Sequence, residues 1–153
     1  MKNGIIITAR DLPAFEQSGI QRLIIYCKPD KAILDSAVTL NVELAKKLAA
    51  IKPNRRTMRM EQCFGQVIET LPDETVIKDF DVLFNPDYGV DILRIMSSLA
   101  KSKPYRIVWP GTCDGRRLIY AEEGFRDYKV YEIEKYDVTC VVWRKANEVF
   151  RID

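Results

Sequence analysis

Residues 105–128 read YRIVWPGTCDGRRLIYAEEGFRDY. The first five, Tyr105 to Trp109, are β-branched or aromatic apart from Arg106, and Pro104 and Pro110 bound them, so they read as a buried strand. Pro110 and Gly111 break that strand. Gly115 permits a tight turn, and Leu118 to Tyr120 restarts an apolar segment. Glu122, Glu123 and Asp127 follow around Gly124. In an α/β sheet, ligands bind at the loops leaving the carboxyl ends of strands, which makes this stretch the most site-like part of the chain. The same residues also suit an ordinary strand exit and β-turn.

Working outward, short apolar runs alternate with amphipathic stretches. Ile5–Ile7 is apolar and residues 11–18 form a weak helical pattern. Residues 22–27, RLIIYC, read as a strand, followed by a KPDK turn in which Asp30 suits a helix cap. Residues 31–37 allow two helical turns, and 38–40 form a short strand with Asn41 as an N-cap candidate. A helix follows over 42–51, with Leu44, Ala45, Leu48 and Ala49 in one stripe. Residues 60–71 give the clearest helix, because Met60, Cys63, Phe64, Val67, Ile68 and Leu71 keep the i, i+3, i+4, i+7 spacing. A strand begins at residue 74, a helix spans 88–101 behind Asn85-Pro86, and strands follow at 105–109, 129–133 and 137–143. Residues 144–153 form a charged tail carrying Val149 and Phe150. Strands separated by helices predict an α/β fold, with a mostly parallel central sheet of about five strands and helices on both faces. The two late strands, close in sequence, suit an antiparallel edge.

The chain has 153 residues, the length of one domain, and 47% hydrophobic with 30% charged residues suits a globular protein. A net charge of +2 from 24 basic and 22 acidic residues gives no global attraction to nucleic acid or membranes. No apolar run approaches the roughly 18 residues of a membrane span, and the run after Gly4 is too short for a signal-peptide core, so the expected location is cytoplasmic. There is no histidine, which removes the commonest general base and metal ligand. Cys27, Cys63, Cys113 and Cys140 form no closely spaced pair and read as packed, reduced thiols, with no metal site expected.

A phosphate loop after the first convincing strand needs the pattern G-x-x-x-x-G-K-[ST], whose amides wrap the phosphates. Here that turn is CKPDKAILDS, residues 27–36. It has no glycine, and Pro29 removes an amide donor. Lys28, Lys31 and Ser36 are of the right type at the wrong spacing. The acid expected at the end of a buried strand to hold Mg²⁺ is replaced by Lys78; Asp79 and Asp81 are the nearest substitutes. They serve equally well as turn acids before Asn85. Arg55, Arg56 and Arg59 sit in a basic loop that suits phosphate or an acidic partner, and also a solvated surface. The residues alone give an α/β domain with no identifiable catalytic set.

Three stretches carry a family pattern. Val38 to Leu44 leads into Arg55-Arg56. Val76 to Phe84 continues into Asn85-Pro86. The third combines Trp109-Pro110-Gly111 with Gly115, Leu118, Tyr120, Glu122, Gly124 and Tyr128 at fixed spacing. Over about residues 22–131 the chain resembles the small P-loop BrxF family of BREX phage-defence systems. The resemblance implies a three-layer, P-loop NTPase-like fold in a single degenerate domain over 1–153. It departs from the family in lacking the glycine-lysine-threonine loop, in a shortened segment from Cys27 to Val38, and in Lys78 where the family's Walker B strand has its acid.

The implied role is a non-catalytic pseudo-ATPase, acting as an adaptor through protein–protein contacts with other BREX-type antiviral defence proteins. No cofactor is expected. The first alternative is a divergent ATP-binding protein using Lys28 or Lys31 for phosphate and Asp79 or Asp81 for magnesium. The second is a DNA-binding module using Arg55, Arg56 and Arg59, together with Arg116, Arg117, Lys101 and Lys103. Self-association stays open, and no membrane partner is expected.

Overall fold

The computed structural model describes residues 3–143. Six parallel strands form the central sheet: β1 (Ile5–Thr8), β2 (Leu23–Cys27), β3 (Val38–Thr39), β4 (Thr75–Lys78), β5 (Tyr105–Val108) and, last in the chain, Val138–Val142. The helices are α1 (Leu12–Gln17), α2 (Lys31–Ser36), α3 (Asn41–Ala49), α4 (Met60–Glu69) and α5 (Ile92–Leu99). Between β5 and the final strand lie three short strands, β6 (Thr112–Cys113), β7 (Arg117–Tyr120) and β8 (Lys129–Glu132), which makes the final strand β9. The strand order is β1-β9-β2-β5-β4-β3, with a separate antiparallel sheet β6-β7-β8.

β2 lies near the middle because all five of its residues are apolar and buried, so it can be covered on both faces. Its alternation serves two cores. Ile24 and Tyr26 join Val108 and Val141 under Leu12, Phe15, Ile33 and Leu34 from the α1 and α2 segments. Leu23, Ile25 and Cys27 face the larger core with Leu44, Phe64 and Met96 from α3, α4 and α5. The α4 stripe expected from spacing is buried at Met60, Cys63, Phe64, Val67 and Ile68.

The crossover from β5 to β9 is made by the small sheet rather than by a helix. Leu118 and Tyr131 enter the larger core from it. The Trp109 ring meets Phe84 and Tyr131 edge-on, each at 5.7 Å between centroids, and its Nε1–H donates to the Ile119 carbonyl at 3.0 Å. Gly111 passes this carbonyl so closely that a Cβ would sit 1.9 Å from its oxygen.

Several expectations are corrected. The sheet has six strands rather than about five, because Ile5–Thr8 pairs with β9. The two late strands do not form an antiparallel edge. β9 runs parallel between β1 and β2, and β8 pairs with β7. Burial decides this: β9 is buried on both faces, while β8 alternates and leaves one face open. Asn41 does not cap α3; its Oδ1 accepts from the Val82 amide at 3.0 Å. The helix predicted from residue 88 begins at Ile92, because Gly89 is left-handed (φ +60°) and Asp91 caps the Arg94 amide at 3.1 Å. The tail with Val149 and Phe150 lies outside the described residues. Among the described residues, no helix is long and apolar enough to cross a membrane.

Candidate functional site

The crossovers leave β2 and β5, which are neighbours, toward opposite edges of the sheet. Parallel sheets bind ligands beside such a switch point, outside the strands' carboxyl ends. A cleft of about 480 Å³ opens here, lined by Cys27 at the end of β2, Lys28 and Asp30 after it, Gly111 after β5, Cys113 of β6, and Trp143 after β9.

Lys28 is left-handed (φ +52°), a conformation that costs a non-glycine residue about 1–2 kcal/mol. Its turn places Pro29 and then Asp30 at the head of α2. The Asp30 carboxylate accepts from the Ile33 amide at 3.3 Å and from the Trp143 indole N–H at 3.3 Å. An acid therefore occupies the helix end where a phosphate loop would present amides to an anion. α2 is also only six residues long, so its dipole is small.

Three cysteines converge beneath this cleft. The Cys27 thiol contacts both Cys113 and Cys140. Contact with Cys113 favours the Cys27 thiolate, but contact with Cys140 and burial outweigh it and hold the thiol above its ordinary range. The Cys113 thiol is pushed up by its contact with Cys27 and by burial. Protonated thiols are weak nucleophiles and weak metal ligands. Among the described residues, no group of three or more Cys, Asp or Glu side chains is arranged to hold a metal ion. Cys63 is elsewhere, buried in α4.

Of the five residues expected around a vestigial nucleotide site, Lys28 alone lines the cleft. Lys31 pairs with Asp35 along α2 at 2.6 Å, and the Ser36 hydroxyl donates to the Ile33 carbonyl at 2.9 Å. Asp79 is exposed and left-handed (φ +55°) at the exit of β4. Asp81 accepts from the Tyr120 hydroxyl at 3.0 Å. Lys78, at the position where a nucleotide-hydrolysing fold has its metal-linked acid, donates to the Leu34 carbonyl at 3.1 Å and pins the end of α2 to β4.

The family-like stretch is largely occupied with packing. Trp109, Gly111 and Tyr120 fasten the small sheet, with the Tyr120 ring stacked on Phe84 at 4.0 Å and 9°. Gly115 (φ +96°) makes the β6–β7 turn, where Asp114 accepts from the amides of Arg116 and Arg117. Glu122 is exposed and Tyr128 half-buried, both in the turn before β8.

The basic residues divide between separate places. The Arg56 Nε–H donates to the Ile51 carbonyl at 3.0 Å, and Arg59 shares a groove with Lys47. Arg55 is exposed on the same loop. Arg117 pairs with Asp114 at 2.7 Å, and Arg116 and Arg117 line a different groove beside Glu132 and Glu134. Lys101 and Lys103 pair with Asp137 and Asp73.

The sequence did not show the meeting of Cys27, Cys113 and Cys140, nor the place of Trp143. Their signal was weak: two cysteines on apolar strands, whose proximity depends on the Ile25–Cys140 register of β2 and β9. The cleft offers one cation, an acid already holding two donors, two protonated thiols and an indole.

No known family model, curated protein or solved structure matches this chain.

Proposed function

We propose that this protein is a non-catalytic, P-loop-like adaptor of a prokaryotic BREX-type antiviral defence complex, working through protein–protein contacts. The observation that carries the non-catalytic part is the Asp30 carboxylate on the Ile33 amide. A nucleotide's phosphates would have to approach a helix end that already holds a negative charge and follows Pro29, which has no N–H to give. Lys78, donating to the Leu34 carbonyl, holds that closed arrangement from the neighbouring strand.

The P-loop-like reading of the fold is supported by a doubly wound sheet with β2 near its centre, whose exit loop lies beside the switch point. The place in a BREX-type system rests on the resemblance of residues 22–131 alone.

Calorimetric titration of ATP and ADP, with and without Mg²⁺, tests the first part. The expected result is no binding at millimolar nucleotide. Micromolar binding, lost in Asp79→Asn or Asp81→Asn, would replace the adaptor reading with that of a divergent ATPase. Co-purification with the ATPase, methyltransferase and phosphatase-like subunits of a BREX system tests the second part. Failure to associate with any of them would remove the proposed role.

A further inference from the structure

We infer that the groove between α3 and α4 is the adaptor's docking surface, and that it takes an acidic protein segment carrying an apolar side chain. The inference rests on the adaptor reading and names its contact face.

From Lys46 to Arg59 the chain carries six cations and no acid. Two of them, Lys47 and Arg59, line a groove of about 230 Å³ whose other walls include Ile51, Cys63 and Gln66. Burial raises the pKa of the Cys63 thiol in the groove, while Lys47 and then Arg59 oppose the rise. The Lys47 ammonium donates to the Gln66 side chain at 3.5 Å, spanning α3 and α4. The groove's lining contains no carboxylate. An incoming Asp or Glu would meet two cations beside apolar surface, where water screens their attraction less than on an open face.

The adjoining loop is held rather than loose. The Arg55 amide donates to the Lys52 carbonyl at 2.8 Å and the Arg59 amide to the Arg55 carbonyl at 3.1 Å. Arg56 is tied to Ile51, and the Thr57 hydroxyl donates to the Tyr88 carbonyl at 2.7 Å. Met58 lies in a second groove, which it shares with Glu61 and Asp91. The apolar wall of the cationic groove, Ala50 and Ile51, matches an acidic peptide that also carries an apolar group. It matches a phosphate backbone poorly, since nucleic-acid binding calls for an extended basic stripe. Arg116 and Arg117 do not extend this one, because they line a different groove.

The test is fluorescence anisotropy of the full chain with a labelled peptide of Asp, Glu and Leu, against a short random-sequence DNA duplex. Lys47→Glu with Arg59→Glu is expected to weaken the peptide about tenfold or more, a change of about 1.4 kcal/mol. Ile51→Ala is expected to weaken it without changing its salt dependence. Arg116→Glu with Arg117→Glu, an equal charge change elsewhere, is expected to leave it unaltered. Absence of peptide binding, equal losses in the two double variants, or tighter binding of the duplex with Ile51→Ala silent would overturn the inference. ATP turnover by the same preparation would remove the adaptor reading and leave the groove standing. A BREX complex that forms undiminished with Lys47→Glu/Arg59→Glu would remove the groove and leave the adaptor.

Discussion

The Tyr120 hydroxyl donates to the Asp81 carboxylate at 3.0 Å while its ring stacks on Phe84, so one side chain ties β7 to both ends of the turn that leaves β4. Tyr120→Phe keeps the stack and removes the donor. It is expected to cost about 1–2 kcal/mol, as for a partly buried hydrogen bond to a charged acceptor. Tyr120→Ala also removes the ring and is expected to cost about 3 kcal/mol or more. Urea unfolding distinguishes these two losses. A silent Tyr120→Ala would mean that the small sheet is held without this contact.

Gly111→Ala places a methyl group against backbone on one side and the Trp109 indole on the other, at 1.9 and 3.0 Å. Neither neighbour can turn away without breaking the Trp109–Ile119 hydrogen bond. A loss of about 2–3 kcal/mol is expected, in the range for overpacking. Near-ultraviolet circular dichroism would register the displaced indole.

Asp30→Ala removes the cap of α2 and the acceptor of the Trp143 N–H. About 1 kcal/mol of stability should go with the cap. Asp30→Asn should recover most of that loss, since an amide oxygen still accepts, which separates capping from charge.

The raised thiols of Cys27 and Cys113 predict a loss of stability in alkali. Below the ordinary thiol pKa of 9.0 both folded and unfolded chains keep these protons, and the contribution is complete. Above it the unfolded thiols ionise while the folded ones stay protonated, so rising pH favours unfolding. The urea midpoint is expected to fall from about pH 8 to about pH 10, and less steeply in Cys27→Ser or Cys113→Ser. Equal slopes in wild type and variants would mean that these thiols titrate normally in the fold.

Periodicity made the helices and the twice-buried strands legible. Leu23–Cys27 and Met60–Ile68 need no neighbour to declare which residues are inside. Pairing was less legible, because it depends on distant partners: residues 129–133 and 137–143 look like a hairpin until burial assigns them to different sheets. Asn41 looked like a cap on local grounds, and its bond to Val82 is made with a residue far along the chain. The closed turn at Pro29 and Asp30 could be read from residue types alone. The cleft could not, since Trp143 and Cys113 reach it only through the fold.

β9 is the last described strand to leave the ribosome, yet its place is between the first two, with Ile5 opposite Thr139 and Ile24 on its other flank. Until it is made, β1 has no partner in the sheet and the inner edge of β2 is open. The nascent chain must carry that slot unfilled through most of its synthesis, as a template that another chain's strand could enter. Completion by such distant pairing also predicts slow folding for a protein of this size. The same slot gives newly made chains a route to exchange β9 between copies before the sheet closes.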